Sequence, residues 1–100
     1  MDGINVNQMH TRAVEVAELL SIMAHPERLM VVCQLTQGEV GVTQLMKSSS
    51  LSQSAFSQHL AVLRKHGLIQ ARKSSQQVFY SLTDSRLSQF IHHLQAVFCS

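Results

Sequence analysis

The sequence predicts a mainly α-helical chain with a β-hairpin wing: a winged helix-turn-helix of about five helices and two strands that forms a homodimer. Three observations predict this fold class. Apolar residues recur at three- and four-residue spacing in several separate stretches. In the middle of the chain, a short apolar helix, a serine-rich turn and a helix with a polar outer face follow one another. Two short strand-like segments then precede a last helical stretch.

The N-terminal part is predicted to form two helices. The first should cover residues 9–24, and the second should begin at Pro26, because the residue before a proline avoids helical geometry. This second helix should end near Thr36, with Gly38 as its stop signal. The apolar face of the first helix consists of Ala13, Val16, Ala17, Leu20 and Ala24.

The centre of the chain predicts the helix-turn-helix itself. A third helix at residues 42–47 is followed by a turn at residues 48–50. Ser52 is a suitable N-cap for the fourth helix, which should cover residues 53–66. The buried stripe of that helix should consist of Ala55, Phe56, Leu60 and Leu63.

Two strands and a helix complete the fold. The strands should cover residues 68–73 and 77–82, and the last helix should start at Asp84 or Ser85. Both terminal helices carry more apolar side chains than one small core needs, which favours a homodimer. The predicted dimer interface is Leu20, Leu87, Phe90, Ile91, Leu94, Val97 and Phe98.

The composition is that of one globular domain. A chain of 100 residues with 45% hydrophobic and 14% charged residues is too apolar for intrinsic disorder. No apolar run is long enough to cross a bilayer, and the N-terminus has no secretory signal pattern. We therefore expect a single domain over residues 1–100, flexible at residues 1–8, in a cytoplasmic protein with no membrane partner.

The charge distribution favours double-stranded DNA as the partner. The formal net charge is only +2, but no acidic residue lies between Val40 and Thr83, whereas five basic residues do. On charge alone, a solvated basic face is an equally good interpretation. The fourth helix adds serine and glutamine side chains on its outer face, which can bond base edges in the major groove.

The predicted DNA-binding residues combine this polar face with phosphate contacts. Ser52 and the amide groups at the helix start suit a phosphate, and the basic side chains suit the DNA backbone. For His59 a partly buried packing role is an equal alternative. The full set is Ser52, Gln53, Ser54, Ser57, Gln58, His59, Lys47, Arg64, Lys65, Arg72 and Lys73.

Three segments resemble the ArsR/SmtB family of regulators. They are LSQSAFSQHLAVLRKHGLI at residues 51–69, HPERL at residues 25–29 and QVFYSL at residues 77–82. The resemblance covers residues 10–99. It implies a dimeric winged-helix repressor that an inducer releases from operator DNA, with an interface built mainly from the first and last helices.

The metal sites of that family are incomplete in this sequence. The segment that matches the third-helix thiolate site, residues 39–45, has no cysteine. At the start of the last helix, Asp84 lacks the histidine of the family's Asp-x-His pair, and the adjacent His92 and His93 point ~100° apart around a helix. We expect no metal and no cofactor, and a metal-responsive repressor is kept as an alternative.

The two cysteines resemble those of the HlyU/BigR/SqrR-like branch, which senses persulfides or oxidants. Cys33 and Cys99 fall at that branch's positions in the second helix and at the end of the last helix. The resemblance implies that reactive sulfur or an oxidant is the inducer and that a bridge between the cysteines releases the DNA. Whether the bridge lies within one subunit or between two stays open. It also stays open whether the protein represses transcription or activates it by displacing a silencer. Inert buried thiols are the ordinary alternative.

An enzyme is not expected. The sequence has only four glycines and no phosphate-cradling glycine loop, no Cys-x-x-Cys and no evident nucleophile–base arrangement. A thiol oxidoreductase and a protein-interaction module that does not bind DNA are the alternatives from other classes.

Overall fold

The computed structural model describes residues 5–99, which form five helices and a three-stranded antiparallel sheet. In chain order the elements are α1 (Val6–Met23), α2 (Pro26–Gln34), β1 (Val40–Gly41), α3 (Val42–Lys47), α4 (Gln53–Lys65), β2 (Ile69–Ser74), β3 (Gln77–Leu82) and α5 (Ser85–Phe98). The sheet order is β1-β3-β2. The predicted mainly α-helical winged helix-turn-helix is confirmed.

One hydrophobic core joins the helices to the base of the wing. On α4, Phe56, Leu60 and Leu63 are buried as predicted, while Ala55 is only half-buried at the margin. Leu45 of α3 is fully buried against them. The other core residues are Met23, Val31, Val32, Leu35, Leu68, Ile69, Leu87 and Ile91.

The first helix begins at Val6, earlier than the predicted residue 9. Asn5 caps it, because the Asn5 side chain accepts from the Gln8 backbone N–H at 2.8 Å and the Gln8 side chain accepts from the Asn5 N–H at 3.3 Å. This reciprocal pair is a capping box, which satisfies two amide groups at the helix start. Residues 6–8 are thus helical, and residues 1–4 of the segment that we expected to be flexible lie outside the described residues.

The apolar face predicted for α1 does not pack on the core of its own chain. Val16 is 49% exposed and Leu20 is 43% exposed, while Leu19, Ile22 and Met23 make the core contacts instead. The periodicity therefore identified a real apolar face, but this face lies on the outside of the protomer.

The short strand β1 was not predicted. Val40 pairs with Tyr80 and Gly41 pairs with Phe79, so the strand fastens the start of the helix-turn-helix to the wing. Two residues are too few to show alternation, which is why the sequence pattern missed them. The strand follows the end of α2 and a turn at Gly38, whose φ of +132° suits glycine.

The helix-turn-helix agrees closely with its prediction. α3 has the predicted bounds, and α4 begins after Ser52, whose hydroxyl oxygen accepts from the Ala55 N–H at 3.2 Å. α4 ends at Lys65, one residue earlier than predicted, before Gly67 with its φ of +78°. Within residues 5–99, no helix combines the length and apolar character that crossing a membrane requires.

Candidate nucleic-acid interface and cysteine pair

The outer face of α4 carries small polar side chains. Because Phe56, Leu60 and Leu63 are held in the core, the opposite side of the helix must face solvent. The exposed residues on and just before it are Ser52, Gln53, Ser54, Ser57, Gln58, Ala61 and Lys65. No bulky apolar side chain stands in this set, so the helix backbone can approach another surface closely.

Four basic side chains of the predicted set are exposed, on α3, on α4 and on the wing. They are Lys47 at the end of α3, Arg64 and Lys65 at the end of α4, and Lys73 on β2. None of them takes part in an ion pair among residues 5–99. Their charges are therefore available to a polyanion.

Arg72 differs from these four because its charge is already paired. Its guanidinium donates to both carboxylate oxygens of Glu39, at 2.8 Å and 2.7 Å, and lies 4.9 Å from the centre of the Phe79 ring. The hydrogen bond lowers the pKa of Glu39 and raises that of Arg72. Arg72 lies on the wing as predicted, but the phosphate contact that we expected of it competes with Glu39.

His59 faces α2 rather than the outer surface of α4. Its ring lies 4.2 Å from that of His25, and its Nδ1 is 3.4 Å from Arg28 Nη1. Partial burial lowers the pKa of His59, and the neighbouring His25 and Arg28 lower it further, against an opposing effect of Glu27. Of the two roles considered for His59, the structure favours packing over base contact.

The first turn of α2 joins the parts of the helix-turn-helix. Arg28 Nε donates to the Ile22 carbonyl at the end of α1 at 2.6 Å, and the Ser49 hydroxyl in the turn before α4 donates to Glu27. Together with the His25–His59 contact, these bonds attach the start of α2 to α1, to the turn before α4 and to α4 itself. Sequence reasoning did not find this network, because its partners are distant in the chain.

The structure brings the two cysteines to one groove between α2 and α5. Cys33 is half-buried, Cys99 is exposed, and both thiols are free. Burial raises the pKa of Cys33, a hydrogen bond from the Gln95 side chain opposes this, and the nearby Cys99 adds to it. The groove is lined by Met30, Cys33, Gln34, Gln37, His92, Gln95, Ala96 and Cys99.

The predicted dimer interface divides into two groups. Leu87 and Ile91 are buried in the core of their own protomer, so these two cannot form an outward-facing surface and we remove them from the interface. Phe90, Val97 and Phe98 are 42%, 70% and 79% exposed, and Leu20 and Leu94 are at least partly exposed. These five residues stay as the predicted interface.

Among residues 5–99, no three His, Cys, Asp or Glu side chains come together as a metal site. Asp84 instead caps α5 by accepting from the Arg86 N–H at 2.8 Å, and its carboxylate pairs with the Arg86 guanidinium. This hydrogen bonding lowers the pKa of Asp84. The carboxylate that the metal alternative requires thus has a structural role.

A polar-faced helix after a capped turn, flanked by a wing, defines the class of winged helix-turn-helix transcriptional regulators. The model of the bacterial regulatory protein arsR family matches residues 25–71. The chain belongs to the ArsR family, in the branch of HlyU and BigR.

Two relatives and one solved structure illustrate this membership. The chain is 41% identical to the biofilm growth-associated repressor of Xylella fastidiosa, over 92% of this chain and 81% of that protein. It is 38% identical to the transcriptional activator HlyU of Vibrio cholerae, over 96% and 89%. The structure of reduced HlyU from Vibrio cholerae matches with a TM-score of 0.88 at 38% identity, over 95% of this chain and 100% of that one. These relatives regulate transcription and are not enzymes, and the same holds for this chain.

Proposed function

We propose that this chain binds operator DNA as a homodimer, represses transcription, and leaves the DNA when Cys33 and Cys99 become bridged. The observation that carries the proposal is the groove in which these two cysteines meet, one on α2 and one at the end of α5. Reactive sulfur or an oxidant is the inducer in this proposal.

DNA binding is proposed to use the outer face of α4 in the major groove. Gln53 and Gln58 are suited to adenine edges, and the serines to several bases. Lys47, Arg64, Lys65 and Lys73 would contact phosphates. If a dimer contacts about 6–10 phosphates, its affinity for DNA falls about 10³- to 10⁵-fold between 50 and 200 mM salt.

Dimerisation is supported by the apolar surface that α1 and α5 share. Val16 and Leu20 of α1 line the same groove as Phe90 of α5. A small domain with such a surface gains stability by burying it against a second copy. Twofold symmetry would also present two recognition helices to the two half-sites of an operator.

The proposed chemistry needs only the two thiols and the inducer. Cys99 is exposed and meets the inducer first, since Cys33 is half-buried with a raised pKa. The Cys99 thiolate attacks the outer sulfur of a persulfide R–S–SH, the donor leaves as R–S⁻, and Cys99 keeps the sulfur as a persulfide. The Cys33 thiolate then attacks the Cys99 sulfur and expels hydrosulfide, leaving a disulfide. With a peroxide, Cys99 becomes a sulfenic acid and Cys33 expels water.

The bridge is proposed to act on DNA binding through α2. This helix carries Cys33. At its start, His25 contacts His59 of α4, and Glu27 bonds Ser49 in the turn between α3 and α4. A covalent link from α2 to α5 would therefore displace the recognition helix relative to the dimer surface. A 100-fold loss of DNA affinity needs only about 2.7 kcal/mol of coupling.

The test uses Cys33→Ser and Cys99→Ser beside the unchanged protein. All three proteins should bind a promoter fragment equally when reduced, and glutathione persulfide should release only the unchanged one. Intact mass spectrometry, with and without reductant, should show the bridge in the released protein and tell a link within one subunit from a link between two. Normal release of either variant would reject the cysteine mechanism, and a salt-independent affinity would reject the DNA contacts.

The sign of regulation needs a separate measurement, because one relative is named a repressor and the other an activator. Transcription from the bound promoter in a purified system, with polymerase and no other regulator, should fall when this protein is added. An increase under those conditions would contradict repression.

A further inference from the structure

One residue contacts both cysteines of the pair. The Gln95 side chain donates from Nε2 to the Cys33 carbonyl oxygen at 3.2 Å, and its amide lies close enough to the Cys33 thiol to lower the pKa of that thiol. The Gln95 backbone carbonyl accepts from the Cys99 N–H at 2.8 Å, which is the bond that closes the end of α5. Both cysteines are thus bonded to Gln95 through their backbones, Cys33 through its carbonyl oxygen and Cys99 through its N–H.

We propose that Gln95 is the positioning residue of the thiol pair, fixing Cys33 of α2 within reach of Cys99 at the end of α5. The redox step itself rests on the proposed function. The effect of Gln95 on Cys33 does not, because it can be measured without an inducer and without DNA.

The last turns of α5 have little else to fix them. After Ile91, which is fully buried, only Leu94 and Gln95 of this helix are even partly buried. A helix end with few apolar contacts frays readily. The bond from Gln95 to α2 is therefore a main contact between the end of α5, which carries Cys99, and the groove.

The amide suits both parts of this role. It is uncharged and has two N–H donors, so it can serve the Cys33 carbonyl and favour the thiolate at the same time. A leucine would fill similar space without any bond. An asparagine would keep the amide but withdraw it from α2 by one methylene.

Ser88 provides a matched control. Ser88 lies two helical turns before Gln95 on α5. Its hydroxyl donates to the Thr36 carbonyl at 2.9 Å and so also joins α5 to the segment after α2. Ser88→Ala removes a bond between the same two parts of the protein. Ser88 itself contacts neither cysteine, although its partner Thr36 donates to the Cys33 carbonyl at 3.0 Å. A merely structural role for Gln95 would make the two variants behave alike.

The first measurement is the alkylation rate of Cys33 as a function of pH, in a Cys99→Ser background. Gln95→Leu and Gln95→Asn should move the pH midpoint upward, because the thiolate loses a donor. The rate at neutral pH should then fall about 3- to 10-fold, the factor that one hydrogen bond contributes. Ser88→Ala should leave the midpoint in place.

The second measurement is the equilibrium between bridged and reduced protein in glutathione buffers, with both cysteines present. Gln95→Leu should lower the bridging constant about 3- to 10-fold, the effect of one lost positioning bond, and Ser88→Ala should lower it less. Far-UV circular dichroism checks folding, and Gln95→Asn replaces Gln95→Leu if the latter does not fold.

An unchanged Cys33 midpoint in a folded Gln95 variant would overturn the proposal, as would equal effects of Ser88→Ala. If the unchanged protein forms no bridge, or keeps its DNA when bridged, the proposed function fails instead. In that case the pH dependence of Cys33 alkylation still tests the role of Gln95.

Discussion

His59 is a residue of α4 whose side chain does not lie on the outer face that we propose as the DNA contact. It sits on α4 beside Gln58, yet its ring packs on His25 and its Nδ1 meets Arg28. Burial and the neighbouring His25 and Arg28 lower its pKa below the ordinary value of 6.5, so the folded protein disfavours the charged form of this ring.

The pH dependence of folding should report this contact. Between the lowered pKa of folded His59 and 6.5, the unfolded chain binds more protons, so the free energy of unfolding rises with pH across that window. The contribution is complete above 6.5 and is lost as the pH falls through the folded pKa. Urea unfolding between pH 5 and 7.5 at one protein concentration should show a shallower slope for His59→Gln than for the unchanged protein.

The control for this slope is His10→Gln, which alters an exposed histidine on α1. It should keep the slope of the unchanged protein. Equal slopes for His59→Gln and the unchanged protein would show that the His59 environment does not carry the effect.

At the scale of elements, local signals predicted most of the fold. The Ser52 cap, the Pro26 start and the spacing of Phe56 and Leu60 act within one or two helical turns, so the starts of α2 and α4 and the bounds of α3 were found. The start of α1 was missed because the capping pair of Asn5 and Gln8 lies before the apolar pattern begins.

Contacts between elements that are distant in the chain are the parts of the site that could not be predicted from the sequence. Arg72 lies on β2 and Glu39 directly precedes β1, and the two meet only because both strands pair with β3 in one sheet. Likewise, the bond from Gln95 to Cys33 exists only once α5 packs on α2. Residue type and periodicity carry no information on such pairs before the topology is known.

The wing gives an element-scale prediction that separates paired from unpaired charge. Lys73→Ala should reduce the salt dependence of DNA binding by about one phosphate per protomer, because an unpaired cation is lost. Arg72→Ala should change it less, since Glu39 already holds that guanidinium. Glu39→Gln should strengthen DNA binding and steepen its salt dependence, because Arg72 becomes available to a phosphate.

Binding of one promoter fragment at several salt concentrations measures all three variants. If Arg72→Ala and Lys73→Ala flatten the salt dependence equally, the pairing with Glu39 does not persist when DNA binds.

At the scale of the whole molecule, the apolar surface of α1 and α5 links the two proposed activities. Cys99 directly follows Val97 and Phe98, the two most exposed apolar residues of α5. A bridge from Cys99 to α2 would therefore reposition the edge of the surface that we propose as the dimer interface. A chain of this size buries only a modest core, so burying this apolar surface against a second copy would contribute a large share of its total stability.

Phe90→Glu should convert the dimer into monomers. Full burial of a phenylalanine side chain contributes about 1.5–3 kcal/mol, and twofold symmetry applies the change twice. The monomer would contact one half-site, so its DNA affinity should fall and its salt dependence should be about half that of the dimer.

Met30→Glu is the matched control: Met30 is 46% exposed against 42% for Phe90, but it lies on α2. Light scattering after size exclusion should find Met30→Glu dimeric and Phe90→Glu monomeric, and a Phe90→Glu dimer or a monomeric unchanged protein would refute this interface.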